Sequence, residues 1–327
     1  MVTKKQEKEV KISLEKIMER IHLISYDDWV KNFALNLDNI WNESSAAELS
    51  PANGKTKLKS AIVIGRGPSV KKNGHLELLV KSNFDGAIVC CDGALITALK
   101  AGVTPERFPN FYVVTIDPRQ EISEFYDDKI VDKYGDGIKG IFSTIVKPTT
   151  IEKARNAGIK IHWLHSLFDY EEGKKSFNQI SASMVRIKNH PDGLPAIQTG
   201  GNVGTSSWFV SWRILKCPTV ALIGINHGWN EDDSWEKIIS HGSNFVKTDV
   251  IDRKNPSFKK LFKKIYNTDF NCYCIVDPLF QFYSSGLKEF IVRSPEWLTT
   301  INATEGGSIF GDRITGMPFN TFLEKYH

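Results

Sequence analysis

A doubly wound α/β fold built on a mainly parallel sheet is predicted by three features of the sequence. Short apolar runs, each the length of a buried strand, recur at residues 61–64, 86–91, 111–116, 140–142, 160–164 and 219–225. Helix-like segments separate them, as in βαβ units, whose right-handed crossovers make successive strands parallel. Several runs end in Gly, Asp or Asn, at the sheet edge where such folds gather their ligand-binding loops. The expectation is a Rossmann-like sheet with a helical N-terminal segment and an α/β C-terminal extension.

Taken in order, residues 11–41 carry apolar side chains at mostly helical spacing and read as two amphipathic helices broken near residues 25–28. Residues 42–59, rich in Ser, Ala, Asn, Gly and Lys, show no periodicity and read as a linker. The chain divides on this basis into a helical lead-in and linker (1–58), a nucleotide-binding α/β domain (59–240) and an α/β extension (241–327). In the extension, residues 258–266 and 278–292 read as helices and 271–276 as a short strand, enough to extend the same sheet.

Composition narrows the function classes. The chain has 327 residues, 41% of them hydrophobic and 24% charged, with a net charge of +4, which fits a globular protein and gives no basic footprint for nucleic acid. No apolar run approaches the about 20 residues of a membrane span. The Lys- and Glu-rich start has no apolar segment of a secretory signal behind it, and the five cysteines, two adjacent in a strand, read as reduced core residues; a cytoplasmic location is expected. Cys272 and Cys274 alternate along a strand and read as packing residues rather than metal ligands.

Four strand ends carry the chemistry. The run at 61–64 enters Gly65-Arg66-Gly67-Pro68-Ser69, a turn whose free N–H groups and hydroxyl suit a phosphate, or whose glycines serve turn geometry alone. The next ends in Asp92-Gly93-Ala94, where Asp92 either meets a ribose, base or metal ion or simply caps the following helix. The third ends in Asp117-Pro118-Arg119, a second acidic strand end beside a guanidinium able to face phosphate. Farther on, Gly200, Gly201, Asn202, Gly204 and Thr205 open a helix and form a second anion cradle, unless Gly204, Ser206 and Ser207 are small only to let this helix pack closely on the sheet. The strand before Asn226 and His227 supplies another polar end, with His227 able to act as acid or base. If the Gly-rich turns bind anions, Gly67→Val or Gly201→Val removes nucleotide binding and leaves the fold intact.

The ordered set Gly-x-Gly-Pro-Ser, Cys-Asp-Gly-Ala, Thr-Ile-Asp-Pro, Thr-Gly-Gly-Asn-Val-Gly-Thr and Leu-Ile-Gly-Ile-Asn resembles the 6-hydroxymethylpterin diphosphokinase MptE-like family over residues 59–227. Its core is similar to that of the motility accessory factors, flagellin glycosyltransferases that resemble bacterial sialyltransferases. The lead-in ending in Tyr26-Asp27-Asp28-Trp29 looks like that of the pterin enzymes, whereas Asn302-Ala303-Thr304-Glu305-Gly306-Gly307 resembles a motif of the motility accessory factors, with Glu305 a hydrogen-bonding group over a nucleotide. The resemblance implies a transferase that binds its nucleotide at Gly65, Gly67, Pro68, Ser69, Gly93, the 200–205 turn and Asn226. Asp92 and Asp117 would hold Mg²⁺, although the pterin enzymes have a more acidic third strand end than this chain. Pyrophosphate transfer from ATP to a 6-hydroxymethylpterin-type alcohol stands first. Glycosyl transfer from a CMP-nonulosonate or another sugar nucleotide, with His227 or Glu305 in acid–base work and a protein among the acceptors, stands second, and a non-catalytic nucleotide-binding protein third.

Overall fold

Ten strands make one sheet in a computed structural model that describes residues 4–51, 58–169, 176–186, 189–243 and 256–326. The strands are β1 (Ser44–Ser45), β2 (Ser60–Ile64), β3 (Ala87–Cys91), β4 (Phe111–Thr115), β5 (Lys139–Ser143), β6 (Lys160–Leu167), β7 (Ala196–Gln198), β8 (Thr219–Ile223), β11 (Thr299–Asn302) and β12 (Ile314–Gly316), with an antiparallel pair β9 (Lys263–Asn267) and β10 (Cys272–Val276) outside it. Their order is β1-β6-β5-β4-β3-β2-β8-β11-β12, with β7 beside β6. Every pairing in the large sheet is parallel. All six predicted strands are present. The chain winds outward from β2 to β6, then returns to place β8 on the other side of β2, so the direction of winding reverses between β2 and β8. A crevice opens at such a reversal.

Side chains of one strand alternate between two cores. Ile62 and Ile64 join one cluster with Leu79, Leu95, Ile151 and Phe322, whereas Ala61 and Val63 join another with Trp208, Ile214 and Leu287. Helices therefore cover both faces. The first face carries α3 (His75–Lys81), α4 (Leu95–Lys100), α6 (Pro148–Asn156) and the C-terminal α12 (Phe319–Lys325); the second carries α8 (Val203–Phe209) and α11 (Pro278–Val292). Burial pushes the Cys91 thiol up to about 12, in keeping with a neutral core residue.

Three expectations change. The lead-in is one helix, α1 (Lys4–Asn42), because Ser25-Tyr26-Asp27-Asp28 contains neither Gly nor Pro and polar residues alone do not end a helix. The expected linker is partly built into the fold: Glu43 accepts from the Trp163 indole at 2.8 Å and pairs with Arg155, β1 joins the sheet edge, and Ser45 with Glu48 forms a capping box. Residues 52–57 of it lie outside the described residues. In the extension, the segment expected as a helix to residue 266 instead forms α10 (Pro256–Leu261) followed by β9; β10 and α11 match their expected spans, but β10 pairs with β9 outside the large sheet rather than extending it, and β11 and β12 extend it instead. No helix among the described residues is long and apolar enough to cross a membrane.

α1 is fastened over the sheet edge by two buried amides. Asn32 Nδ2 donates to Pro118 O and Ile145 O, both at 3.0 Å, and Asn36 Nδ2 donates to Thr144 O at 3.1 Å and Val146 O at 2.7 Å. These carbonyls lie on the loops after β4 and β5, so α1 fixes the loop that carries Asp117. Asn32→Ala strands two carbonyls, and an unmade buried hydrogen bond costs about 1–3 kcal/mol. Urea unfolding of the variant is expected to show a loss of about 2–4 kcal/mol, and an unchanged midpoint would show that the clamp contributes nothing.

Candidate functional site at the winding reversal

The loops after β2 and β8 are hydrogen-bonded to each other across the crevice. Gly65 N donates to Ile223 O at 2.8 Å and Gly67 N to Gly224 O at 2.9 Å, while Ser69 Oγ donates to Asn226 Oδ1 at 2.9 Å. A Cβ on Gly67 would lie 2.1 Å from Asn226 Oδ1 and 2.6 Å from the Gly224 carbonyl, so this glycine is required by the approach of the second loop. The expectation that Gly67→Val spares the fold is therefore corrected. Pro68, exposed, precedes the four-residue helix α2 (Ser69–Lys72).

The 200–205 turn is likewise held by its own bonds. Asn202 Oδ1 accepts from Thr205 N at 2.9 Å and caps α8; its Nδ2 donates to Gly200 O and Thr205 Oγ1; Gly201 N donates to Thr199 Oγ1. Gly200 and Gly201 have positive φ, and a Cβ on Gly201 would meet the Tyr283 and Phe282 rings at under 3 Å. Gly201→Val thus also strains the fold. On Gly204 a Cβ would lie 2.8 Å from Ile225 Cδ1, which supports the close-packing reading of that residue.

Asp92 and Asp117 share one end of the crevice. Asp92 is buried at the end of β3, caps no helix by its side chain, and accepts from Gly93 N at 2.7 Å. Burial, with a contribution from the Asp117 charge, raises its pKa to about 7 against the pull of Gly93 N–H, Thr115 and Arg66. Its neutral form is therefore favoured far more at neutral pH than that of an ordinary aspartate. Asp117 is bound at both oxygens by the Arg119 guanidinium, Nε to Oδ1 at 2.9 Å and Nη2 to Oδ2 at 2.6 Å. Arg119 folds back on the carboxylate rather than facing an open phosphate site. One buried acid with a raised pKa and one carboxylate committed to a guanidinium do not make the donor set of a resident Mg²⁺. Among the described residues no group of three or more His, Cys, Asp or Glu is arranged to hold a metal ion.

Of the two acid–base candidates, one is sealed from solvent and the other is tied into the fold. His227 has φ +39° and is buried, with Nδ1 unpartnered, and burial lowers its pKa to about 4, so it stays neutral near pH 7 and has little access to a substrate proton. Glu305 Oε1 accepts from Phe319 N at 3.0 Å and meets His75 Nε2 at 3.3 Å, which ties the loop after β11 to α12 and α3.

Residues that the sequence did not single out complete the site. Arg66 passes over Gly93, lies 5.7 Å from the Phe125 ring centre and favours the charged form of Asp92. Tyr283 of α11 closes over Gly201, and its phenol is raised by burial and then by Asp117. On the β8 side, a cleft of about 380 Å³ is lined by Ser69, Lys72, Asn226, Trp229, Tyr273 and Glu305 among others. The structure thus joins Ser69, Asn226 and Glu305 in the cleft and brings Asp92, Gly93 and Asp117 together around Arg66 at the ends of β3 and β4. Arg66 had a signal, as the variable residue of Gly-x-Gly; Tyr283 had none, since only the crossing of α11 brings it there.

No curated protein matches the chain. The solved structure of the MAf glycosyltransferase from Magnetospirillum magneticum AMB-1 superposes with a TM-score of 0.56 at 14% identity, covering 87% of this chain and 39% of that one, and so shares the fold. The family described as 6-hydroxymethylpterin diphosphokinase MptE-like matches residues 31–232, from the α1 residues that clamp the β4 and β5 loops to the polar loop after β8. The chain belongs to the MptE-like family.

Proposed function

We propose that the chain is a nucleotide-dependent transferase that moves a sugar from a nucleotide donor to a hydroxyl acceptor. The observation that carries this order is the pairing of Asp117 with Arg119 beside a buried Asp92, since both Asp117 oxygens are taken by the guanidinium and Asp92 is engaged by Gly93 N. This arrangement suits a leaving phosphate of lower charge. Arg66, Lys72 and the polar loop ends of β2 and β8 receive the developing negative charge, and Asp92 in its protonated form donates a hydrogen bond beside it. The acceptor hydroxyl attacks the anomeric carbon through an oxocarbenium-like transition state, and the donor's phosphate leaves with the bonding pair. The likeness in fold to a glycosyltransferase supports this reading.

The family description favours a second reading, transfer of pyrophosphate from ATP to a pterin-type alcohol, in which Mg²⁺ arrives with the nucleotide. Melting curves with ATP, CMP, CTP, GDP and UDP, each with and without Mg²⁺, separate the two, because a ligand of the native state raises the midpoint. A metal-independent shift by CMP or UDP, with release of that nucleotide from its sugar conjugate, is expected. Acceptor-dependent AMP from ATP and 6-hydroxymethyl-7,8-dihydropterin would reverse the order, and binding without turnover of any donor would leave a nucleotide-binding protein.

A further inference from the structure

A second histidine stands where His227 was expected to work. His241 lies on α9 (Trp235–Ser243), and its Nδ1 is 2.7 Å from Asp277 Oδ2. Asp277 is fully buried at the head of α11; Oδ1 accepts from Leu279 N and Phe280 N at 2.8 and 2.9 Å, and Oδ2 also accepts from the Trp229 indole at 2.7 Å. A carboxylate that takes three N–H donors already is an ionised acceptor, so the fourth contact fixes a proton on His241 Nδ1. Nε2 then carries the lone pair.

The imidazole has access that His227 lacks. Its side chain is 28% exposed, and Nε2 has no hydrogen-bond partner among the described residues. Its ring meets the edge of Trp229, a wall of the cleft, at 5.3 Å between centres. On the other side it meets Phe280 at 4.5 Å, whose ring also contacts His227 and Tyr283, the latter lying over Gly201. A buried acid, an imidazole oriented by it and, among the described residues, an unpartnered ring nitrogen beside the cleft wall Trp229 are the parts of a general base held in one tautomer.

We propose that His241 is the catalytic base of the transfer and that Asp277 is its positioning residue, the substrate on this side being an alcohol. The inference rests on the group-transfer reading above and is indifferent to the donor. As the acceptor oxygen bonds to the anomeric carbon, or to phosphorus in the second reading, Nε2 takes the hydroxyl proton. The bond from that centre to the leaving phosphate oxygen breaks with its electron pair on the leaving group. The imidazolium, stabilised by Asp277, returns the proton to solvent. Among the described residues, the charged groups around His241 are Asp277 and, across Trp229, Lys237, which lies 5.3 Å from the indole centre and pairs with Asp233 at 3.8 Å.

The test compares wild type, His241→Gln and His241→Ala in release of CMP from a CMP-linked nonulosonic acid and of AMP from ATP with 6-hydroxymethyl-7,8-dihydropterin. Whichever reaction the wild type runs, both variants are expected to lose about a hundredfold or more in kcat while the donor still raises their melting points. Added imidazole is expected to restore part of the His241→Ala rate. Turnover within threefold of wild type, or loss without rescue together with loss of donor binding, overturns the base and leaves the transferase reading standing. A wild type that runs neither reaction overturns the transferase reading and this inference with it, whereas the tautomer at Nδ1 remains separately readable by nitrogen NMR.

Discussion

Asp92→Asn is expected to make the protein more stable at pH 8 and nearly inactive. The buried carboxyl has its pKa raised from an ordinary 3.8 to about 7, with burial the largest cause. The native state therefore holds this proton more tightly than the unfolded chain does. Stability falls as pH rises from about 4 to about 7 and is level beyond, because between those values the native state binds more protons. The accumulated cost is on the order of 4 kcal/mol at most, at about 1.36 kcal/mol for each tenfold step. An Asn side chain keeps the acceptor for Gly93 N and carries no charge, so the variant escapes the cost. Urea unfolding at pH 8 should show the gain, and unfolding at pH 4 should show none. Turnover should fall by about a hundredfold or more, since the amide that replaces the carboxyl beside Arg66 is the weaker hydrogen-bond donor to the leaving phosphate. If the variant instead loses stability at pH 8, Asp92 is a structural acceptor whose ionised form the fold prefers, and the site must be drawn without it.

The contrast between Asp92 and Asp117 shows how far such a site can be read before the chain is folded. Both are acidic residues at the ends of apolar runs, and the rule that parallel strands collect their following loops at one edge was enough to place them together. Nothing in that rule distinguishes a carboxylate sealed under Gly93 from one clasped by an arginine two residues later. That difference is one of burial and rotamer. The six strands of the core were legible because each is a continuous apolar run, and they prove buried along nearly their whole lengths. β11 and β12 were not, because Thr299-Thr300-Ile301-Asn302 and Ile314-Thr315-Gly316 are short and mostly polar, and only the neighbouring strand makes them strands. Glu305 reads as an available acid in sequence and is taken by a backbone N–H fourteen residues away. His241 gave no sign at all, since its partner Asp277 is separated from it by 36 residues that pass through a different pair of strands.

Gly224→Ala is expected to destabilise the fold by about 2–5 kcal/mol, the sum of left-handed backbone strain and overpacking. Gly224 sits at φ +67°, and a Cβ there would stand 2.4 Å from the Gly65 carbonyl oxygen and 2.5 Å from Val70 Cγ2. Neither neighbour has room to retreat. Gly65 is itself pinned, since its own Cβ would lie 2.4 Å from Gly224 O, and its N–H is bonded to Ile223 O. The two loops at the winding reversal are therefore fitted backbone to backbone, and their glycines define the crevice before any ligand enters it. Gly286→Ala is the matched control, because that residue lies within α11 and a Cβ on it would have Gly200 Cα no nearer than 3.8 Å. There the helix gains up to about 1 kcal/mol. Urea midpoints for the two variants should move in opposite directions. Equal and small changes would mean that the β2 and β8 loops separate without cost, in which case their glycines are held for a bound anion and the phosphate-cradle reading of Gly65 and Gly67 regains first place.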